Sequence, residues 1–197
     1  MSTRKCWSCG HDHAAAEPIC PTCGKVQPPA RAGAQLDKFA VLGIGPTFDE
    51  PPALDEKFRA LSRKLHPDRF ARATPQERRY SLEQTTLLND AYKTLKDPVR
   101  RAEHLLALRG IKGDPKMSPE FLEQTMADRE RLLEAKMSGE PLDALAANVR
   151  EQRDRTLLQV RDLVENGGDL AQAAELLARM RYYARYLDEV EGRSVEL

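Results

Sequence analysis

The stretch Leu54-Asp55-Glu56-Lys57-Phe58-Arg59-Ala60-Leu61-Ser62-Arg63-Lys64-Leu65-His66-Pro67-Asp68 decides how the chain is read. Leu54, Phe58, Leu61 and Leu65 recur at three- and four-residue intervals, so they fall on one stripe of a helix expected from Asp55 to His66. Lys57, Arg59, Arg63 and Lys64 lie on its other faces, which makes the helix amphipathic and basic. Pro67 stops it, because the ring lacks a backbone donor and clashes with the preceding turn. The charged stretch from Asp68 to Arg78 reads as a loop. Periodicity then resumes: Leu82, Thr86, Leu87, Ala91, Tyr92 and Leu95 mark a helix closed by Asp97-Pro98, and Ala102, Leu105, Leu106 and Leu108 one closed by Gly110. Upstream, Leu36, Phe39 and Leu42 predict a short helix ending at Gly43. The pattern is an antiparallel helix pair with small flanking helices.

Toward the C-terminus, three more amphipathic stretches follow the break at Gly113-Asp114-Pro115: Pro119 to Met137, Leu142 to Asn166 and Leu170 to Glu189. Their apolar stripes are Leu122, Met126, Leu132 and Leu133; then Leu145, Val149, Leu157, Val160 and Val164; then Leu170, Ala173, Leu177, Met180 and Leu187. The connections at Gly139-Glu140-Pro141 and Gly167-Gly168-Asp169 are short, which predicts antiparallel neighbours in a three-helix bundle. The fold class expected is all-α.

Toward the N-terminus, all four cysteines cluster as Cys6-Trp7-Ser8-Cys9-Gly10 and Cys20-Pro21-Thr22-Cys23-Gly24. A Cys-x2-Cys turn brings two thiolates to one ion, and a glycine after the second cysteine permits the left-handed backbone that the turn needs. Four thiolates close a tetrahedral site with no open position, so a structural zinc ion held by Cys6, Cys9, Cys20 and Cys23 is expected, with Arg4, Lys5 and Lys25 offsetting part of the charge. Two disulfides are one alternative, set against the lack of an export signal; an iron centre is another, and His11 or His13 would be competing ligands. A segment this short cannot bury a core and is expected to fold with its metal. Residues from Val26 to Ala34 read as a linker rich in Pro, Gly and Ala.

Composition narrows the function classes. Lys+Arg and Asp+Glu are each 31 among 197 residues, so no global field pulls the protein toward nucleic acid or a membrane. Neither a membrane span nor a signal peptide is visible, and a cytoplasmic location is expected. No phosphate-binding loop, nucleophile elbow or His-Glu-x-x-His is present, which weakens enzyme readings from the start. His66 and Asp68 have acid–base chemistry, yet no nucleophile or second catalytic carboxylate is placed beside them by any motif. A rigid turn presenting an imidazole and a carboxylate suits docking, Pro67 lowering the entropy lost on binding.

His66-Pro67-Asp68 after a basic helix, with Asn89-Asp90-Ala91-Tyr92-Lys93-Thr94-Leu95 and Asp97-Pro98 downstream, resembles the J-domain family over roughly residues 36 to 112. The resemblance implies that the tripeptide engages a DnaK/HscA-type ATPase chaperone and stimulates its ATP hydrolysis. Asp68 would then meet an arginine of that partner, while Arg59, Arg63 and Lys64 steer toward its acidic surface.

The helical C-terminus narrows this further. With Asp37-Lys38-Phe39-Ala40-Val41-Leu42-Gly43, Arg100-Arg101-Ala102-Glu103-His104-Leu105-Leu106-Ala107-Leu108-Arg109-Gly110-Ile111, Phe121-Leu122-Glu123 and Met180-Arg181-Tyr182-Tyr183, the chain is similar to iron–sulfur co-chaperones of the HscB type, and the leading Cys-Trp-Ser-Cys-Gly to their zinc-bearing branch. That resemblance implies that the bundle binds a U-type cluster scaffold through Leu122, Met126, Glu130, Glu134 and Tyr182. Glu123 and Ala127 depart from the bacterial pattern of that face.

The resulting expectation is a non-enzymatic co-chaperone: a zinc module over 1–27, a linker over 28–35, a J-domain over 36–112 and a scaffold-binding bundle over 116–197. A general protein-folding co-chaperone is the alternative. A zinc-dependent nucleic-acid reader is the weakest reading, given zero net charge and only Trp7 as an aromatic in the knuckles.

Overall fold

The computed structural model describes residues 3–29, 36–111, 113 and 115–193, which fall into two compact units divided between Leu108 and Arg109. In the first unit, strands β1 (Thr3–Lys5) and β2 (Asp12–Ala14) pair antiparallel, with Arg4 opposite His13. These two short strands had no pattern in the sequence to announce them. Four helices follow: α1 (Lys38–Leu42), α2 (Leu54–Leu65), α3 (Pro75–Lys96) and α4 (Pro98–Leu108), with a 3-10 turn at Pro67–Phe70 between α2 and α3.

Helix α3 begins earlier than the sequence pattern suggests. Pro75 occupies its first turn, and Thr74 and Glu77 form a reciprocal capping box, each side chain bonding the other's backbone N–H, so Pro75 to Arg78 are helical and not loop. The buried face of α3 also differs from the apolar reading. Leu82 is 60% exposed, and the inward positions are Tyr80, Ser81, Gln84, Leu88, Ala91, Thr94 and Leu95. Polar residues stand inward because they have backbone partners there, as at Ser81 and Gln84.

Helices α2 and α3 run antiparallel: Ser81 and Thr85 meet Leu65, while Tyr92 stacks on Phe58 at 4.0 Å between ring centroids and donates to Asp55. Between them, with α1 and α4, lies a core of Phe39, Leu42, Leu54, Leu65, Leu88, Leu95, Leu105 and Leu106. Two polar side chains of α4 are buried with it. Arg101 donates to the carbonyls of Phe48 and Leu95, and His104 accepts from the Lys38 N–H at 3.0 Å while its ring stacks on Phe39.

The second unit holds α5 (Pro119–Ser138), α6 (Asp143–Glu165) and α7 (Leu170–Val190). Thr156 faces Tyr183 and Arg150 reaches Glu191, so α6 and α7 are antiparallel. Phe121 and Asp128 meet Tyr182, while Lys136 meets Glu189, so α5 and α7 share a direction. The α6–α7 seam buries Ala146, Val149, Val160 and Val164 against Ala173, Leu177, Met180 and Leu187. For α5 the expected stripe is only partly inward. Leu132 is buried with Phe121 and Ala135, whereas Leu122, Met126 and Leu133 are exposed.

His104 yields a pH-dependence. Burial pushes its pKa down, with the Lys38 charge adding to this and Asp37 opposing it, so the ring is held neutral in the fold. The unfolded imidazole takes up a proton below about pH 6.5, so the unfolded state then binds more protons and stability falls as pH drops through that window. The thermal midpoint is expected to decrease between neutral pH and about pH 5.5, and less steeply in His104→Gln. An identical slope in the variant would exclude His104 as the source.

Candidate functional site

Two knuckles of the same geometry build the cysteine site. In the first, the Gly10 N–H bonds the Cys6 carbonyl and the Cys6 N–H bonds that of His11; in the second, Gly24 bonds Cys20 and Cys20 bonds Lys25. Gly10 and Gly24 sit at φ values of 72° and 70°, where a side chain would be strained. Val26 is not linker, because it bridges Ile19 and is fully buried; residues 30–35 of the expected linker lie outside the described residues.

The four Sγ atoms lie within 4.8 Å of one another. Cys6 and Cys23 are 3.6 Å apart, Cys9 and Cys20 3.8 Å. A tetrahedron with metal–sulfur bonds of about 2.3 Å has edges of about 3.8 Å, whereas a disulfide needs about 2.05 Å, so the spacing fits a shared ion and not two bridges. Among the described residues no histidine joins this group: the His13 Nδ1 contacts the Ala14 carbonyl and His11 is exposed.

The thiols also resist ionising together. Burial pushes Cys6 up, but the N–H groups of Cys9 and Ser8 and the thiols of Cys23 and Cys9 outweigh it and bring Cys6 down to about 6. At Cys23 a Lys25 N–H favours the thiolate, yet burial and the thiols of Cys9, Cys6 and Cys20 prevail, and it is pushed up to about 12. Such a cluster becomes fully anionic only around a cation. Lys5 and Lys25, expected to balance it, are paired with Asp12 and Glu77, and Arg4 donates to the carbonyls of Pro28 and Glu17.

His66-Pro67-Asp68 forms the corner where α2 ends. The Leu65 carbonyl, left without a helical donor, accepts from Ser81 Oγ at 2.6 Å and Thr85 Oγ1 at 3.1 Å. His66 then turns to extended backbone, and its Nδ1 accepts from the Asp68 N–H at 3.3 Å. The imidazole is 56% exposed and the Asp68 carboxylate 90%, so both are presented outward. Arg59, Arg63 and Lys64 are exposed on the α2 turns leading there.

In the other unit, Leu122, Met126, Glu130 and Glu134 are all exposed along α5. Tyr182 is half-buried against Phe121, its hydroxyl donating to Asp128 at 3.2 Å, and Tyr183 is core. Leu133 and Met137 extend the exposed apolar line; with Leu122 and Met126 they fall within about 60° of helix rotation at about 100° per residue. Apolar spacing alone could not separate this line from core. Ser81, Thr85, Glu77 and Gln27 escaped the sequence reading too, although Thr74-Pro75-Gln76-Glu77 is a legible capping signature.

Comparison with known proteins gives a consistent result. Residues 37–104 match the model of the DnaJ domain and residues 117–191 that of the HSCB C-terminal oligomerisation domain. The iron-sulfur cluster co-chaperone protein HscB of Mus musculus is 32% identical over 95% of this chain and 81% of its own length. A co-chaperone protein HscB homolog of Shewanella baltica is 36% identical over 79% of this chain and 95% of its own length. The crystal structure of human co-chaperone protein HscB superposes with a TM-score of 0.84 at 28% identity, covering 98% of this chain and all of that one.

Trp7, the sole tryptophan, reports on the cysteine site: its indole donates to the Val26 carbonyl at 2.7 Å and its ring meets Tyr80 edge-on. Stripping metal with a chelator is expected to shift its emission to the red, and adding zinc back to reverse the shift, with one ion bound per chain by elemental analysis. Emission that ignores both additions would show that no metal organises these knuckles.

Proposed function

Since this chain belongs to the HscB family of J-domain co-chaperones, we propose that it is an adaptor between a DnaK/HscA-type ATPase chaperone and a U-type iron–sulfur cluster scaffold. The observation carrying this reading is the outward His66-Pro67-Asp68 corner at the end of a basic helix, in a chain whose helical C-terminal unit leaves an apolar line uncovered.

Asp68 reaches the chaperone as a charge-assisted acceptor for a guanidinium, and His66, held by its own bond to the Asp68 N–H, keeps the turn in one shape. Arg59, Arg63 and Lys64 raise the encounter rate with an acidic surface more than they add to final affinity. Leu122 and Met126 supply the apolar contact to the scaffold, with Glu130 and Glu134 at its edge and Tyr182 braced by Asp128 beside it. Engaging both partners at once converts the meeting of chaperone and scaffold into a local event at high effective concentration. ATP is hydrolysed by the chaperone, this chain contributing no group to that chemistry. Zinc in the thiolate site is structural.

Two substitutions test the two ends. Asp68→Asn is expected to bring stimulated ATPase turnover of the chaperone back to its basal rate with unchanged circular dichroism; full stimulation by the variant would overturn the docking role. Met126→Lys changes an exposed side chain and is expected to weaken scaffold binding by about tenfold in calorimetry, leaving stimulation by the scaffold-free protein intact.

A further inference from the structure

The cysteine knuckles are joined by polar and aromatic contacts to Glu77, Tyr80 and Gln84, in the half of α3 that frames the corner. Gln27, fully buried, has both ends engaged. Its side-chain amide donates to Cys6 Sγ at 3.3 Å and to the Lys25 carbonyl at 2.8 Å, while its backbone carbonyl accepts from Gln84 Nε2 at 3.0 Å. Lys25, directly after Gly24 of the second knuckle, places its Nζ 3.0 Å from Glu77 Oε1. Trp7, inside the first knuckle, meets Tyr80 at 6.0 Å between ring centroids.

Glu77, Ser81, Gln84, Thr85 and Leu88 share one side of α3 by their spacing. Toward the module, Glu77, Tyr80 and Gln84 are engaged; toward α2, Ser81 and Thr85 hold the Leu65 carbonyl. The loop carrying the corner is therefore tied to α3 at both ends, by Ser81 and Thr85 where it starts and by the Thr74–Glu77 box where it finishes. Glu77 is 4% exposed and divides its oxygens, Oε2 to Thr74 and Oε1 to Lys25. Burial pushes its pKa up, but the bonds from Lys25 and Thr74 hold it below the usual carboxylate range. Without Lys25 a nearly buried carboxylate loses the cation it is paired with, an arrangement that favours opening of the first turns of α3.

We infer that the cysteine module is a metal-set brace on the J-domain: with the thiolate site loaded, Lys25 and Gln27 hold the N-terminal half of α3 and thereby the His66-Pro67-Asp68 corner. Stimulation of the chaperone then depends on the occupied site. Lys25, Gln27 and Glu77 are positioning residues in this arrangement, and the inference rests on the docking role proposed above for the corner.

The test uses the full chain in five states: zinc-loaded, chelator-stripped, zinc re-added, Lys25→Ala and Lys25→Arg. Hydrogen exchange is followed in peptides covering 65–88, and ATPase stimulation in parallel, with Asp68→Asn as reference. Stripped protein and Lys25→Ala are expected to exchange about tenfold faster across the first half of α3, the loss of one charge-assisted bond. Peptides from α6 and α7 should be unchanged, showing that the rest stays folded. Stimulation should fall with the exchange, and both should return on adding zinc and in Lys25→Arg. Unaltered exchange in the stripped protein and in Lys25→Ala would overturn the brace. Faster exchange with full stimulation would overturn its coupling to the corner. Full stimulation by Asp68→Asn would instead sink the docking role, the exchange data still judging the brace.

Discussion

Pro67 ends α2 at Leu65, and the carbonyl it strands is the point on which the rest of the J-domain is hung. Two hydroxyls one helical turn apart on α3 satisfy that oxygen, and in doing so they set the register of the helix pair. Seven residues back along α2 stands Phe58, and seven forward from Thr85 along α3 stands Tyr92, the two rings stacked. Ten residues back is Asp55, which Lys96 reaches from eleven forward. Steps that match to within one residue in opposite directions mean that one pinned carbonyl aligns the contacts down the pair. The corner is fixed by the same bonds, since His66 follows Leu65 directly. The proposed docking corner and the register of the pair therefore share one constraint, and the corner is held from behind by the inward-facing Ser81 and Thr85.

What could be read beforehand was whatever has a period or a punctuation mark. The amphipathic stripe of α2, its stop at Pro67, the seam of α6 with α7 and the paired Cys-x2-Cys-Gly turns all carry such signals, and the helical boundaries follow them closely. Apolar spacing failed where polarity and burial part company. Ser81, Gln84, Arg101 and His104 are inside because backbone groups from other elements meet them, and nothing local to α3 or α4 advertises a partner 16 to 66 positions away. Leu82 is outside although its spacing matches that of the apolar residues of α3.

On α5 the same failure is informative. Leu122, Met126, Leu133 and Met137 have helical spacing as good as a core stripe, yet the anchoring of α5 is carried by Phe121, Leu132 and Ala135, with an aromatic knot of Phe121, Tyr182, Tyr183 and Tyr186. Arg179 lies over the Phe121 ring at 4.7 Å and closes that knot from the side. Because α5 is fastened by large rings over a narrow strip, the remaining width of the helix stays outward. A helix with two apolar faces is what a surface for a second protein requires, one to hold it to its own domain and one to offer.

The cysteine module meets α3 through an ion pair, an amide–carbonyl bond and an edge-on ring contact. Such contacts are directional, so their contribution depends on Lys25 and Gln27 standing where the second knuckle puts them. In the proposed brace a segment this short takes its shape when four sulfurs share an ion, and that shape aims the lysine at Glu77. The same Glu77 closes the capping box of α3 and thereby ends the loop that carries the His66-Pro67-Asp68 corner. In the proposed brace a bond between metal and sulfur is in this way connected, through Lys25 and Glu77, to the geometry of the turn that α3 holds.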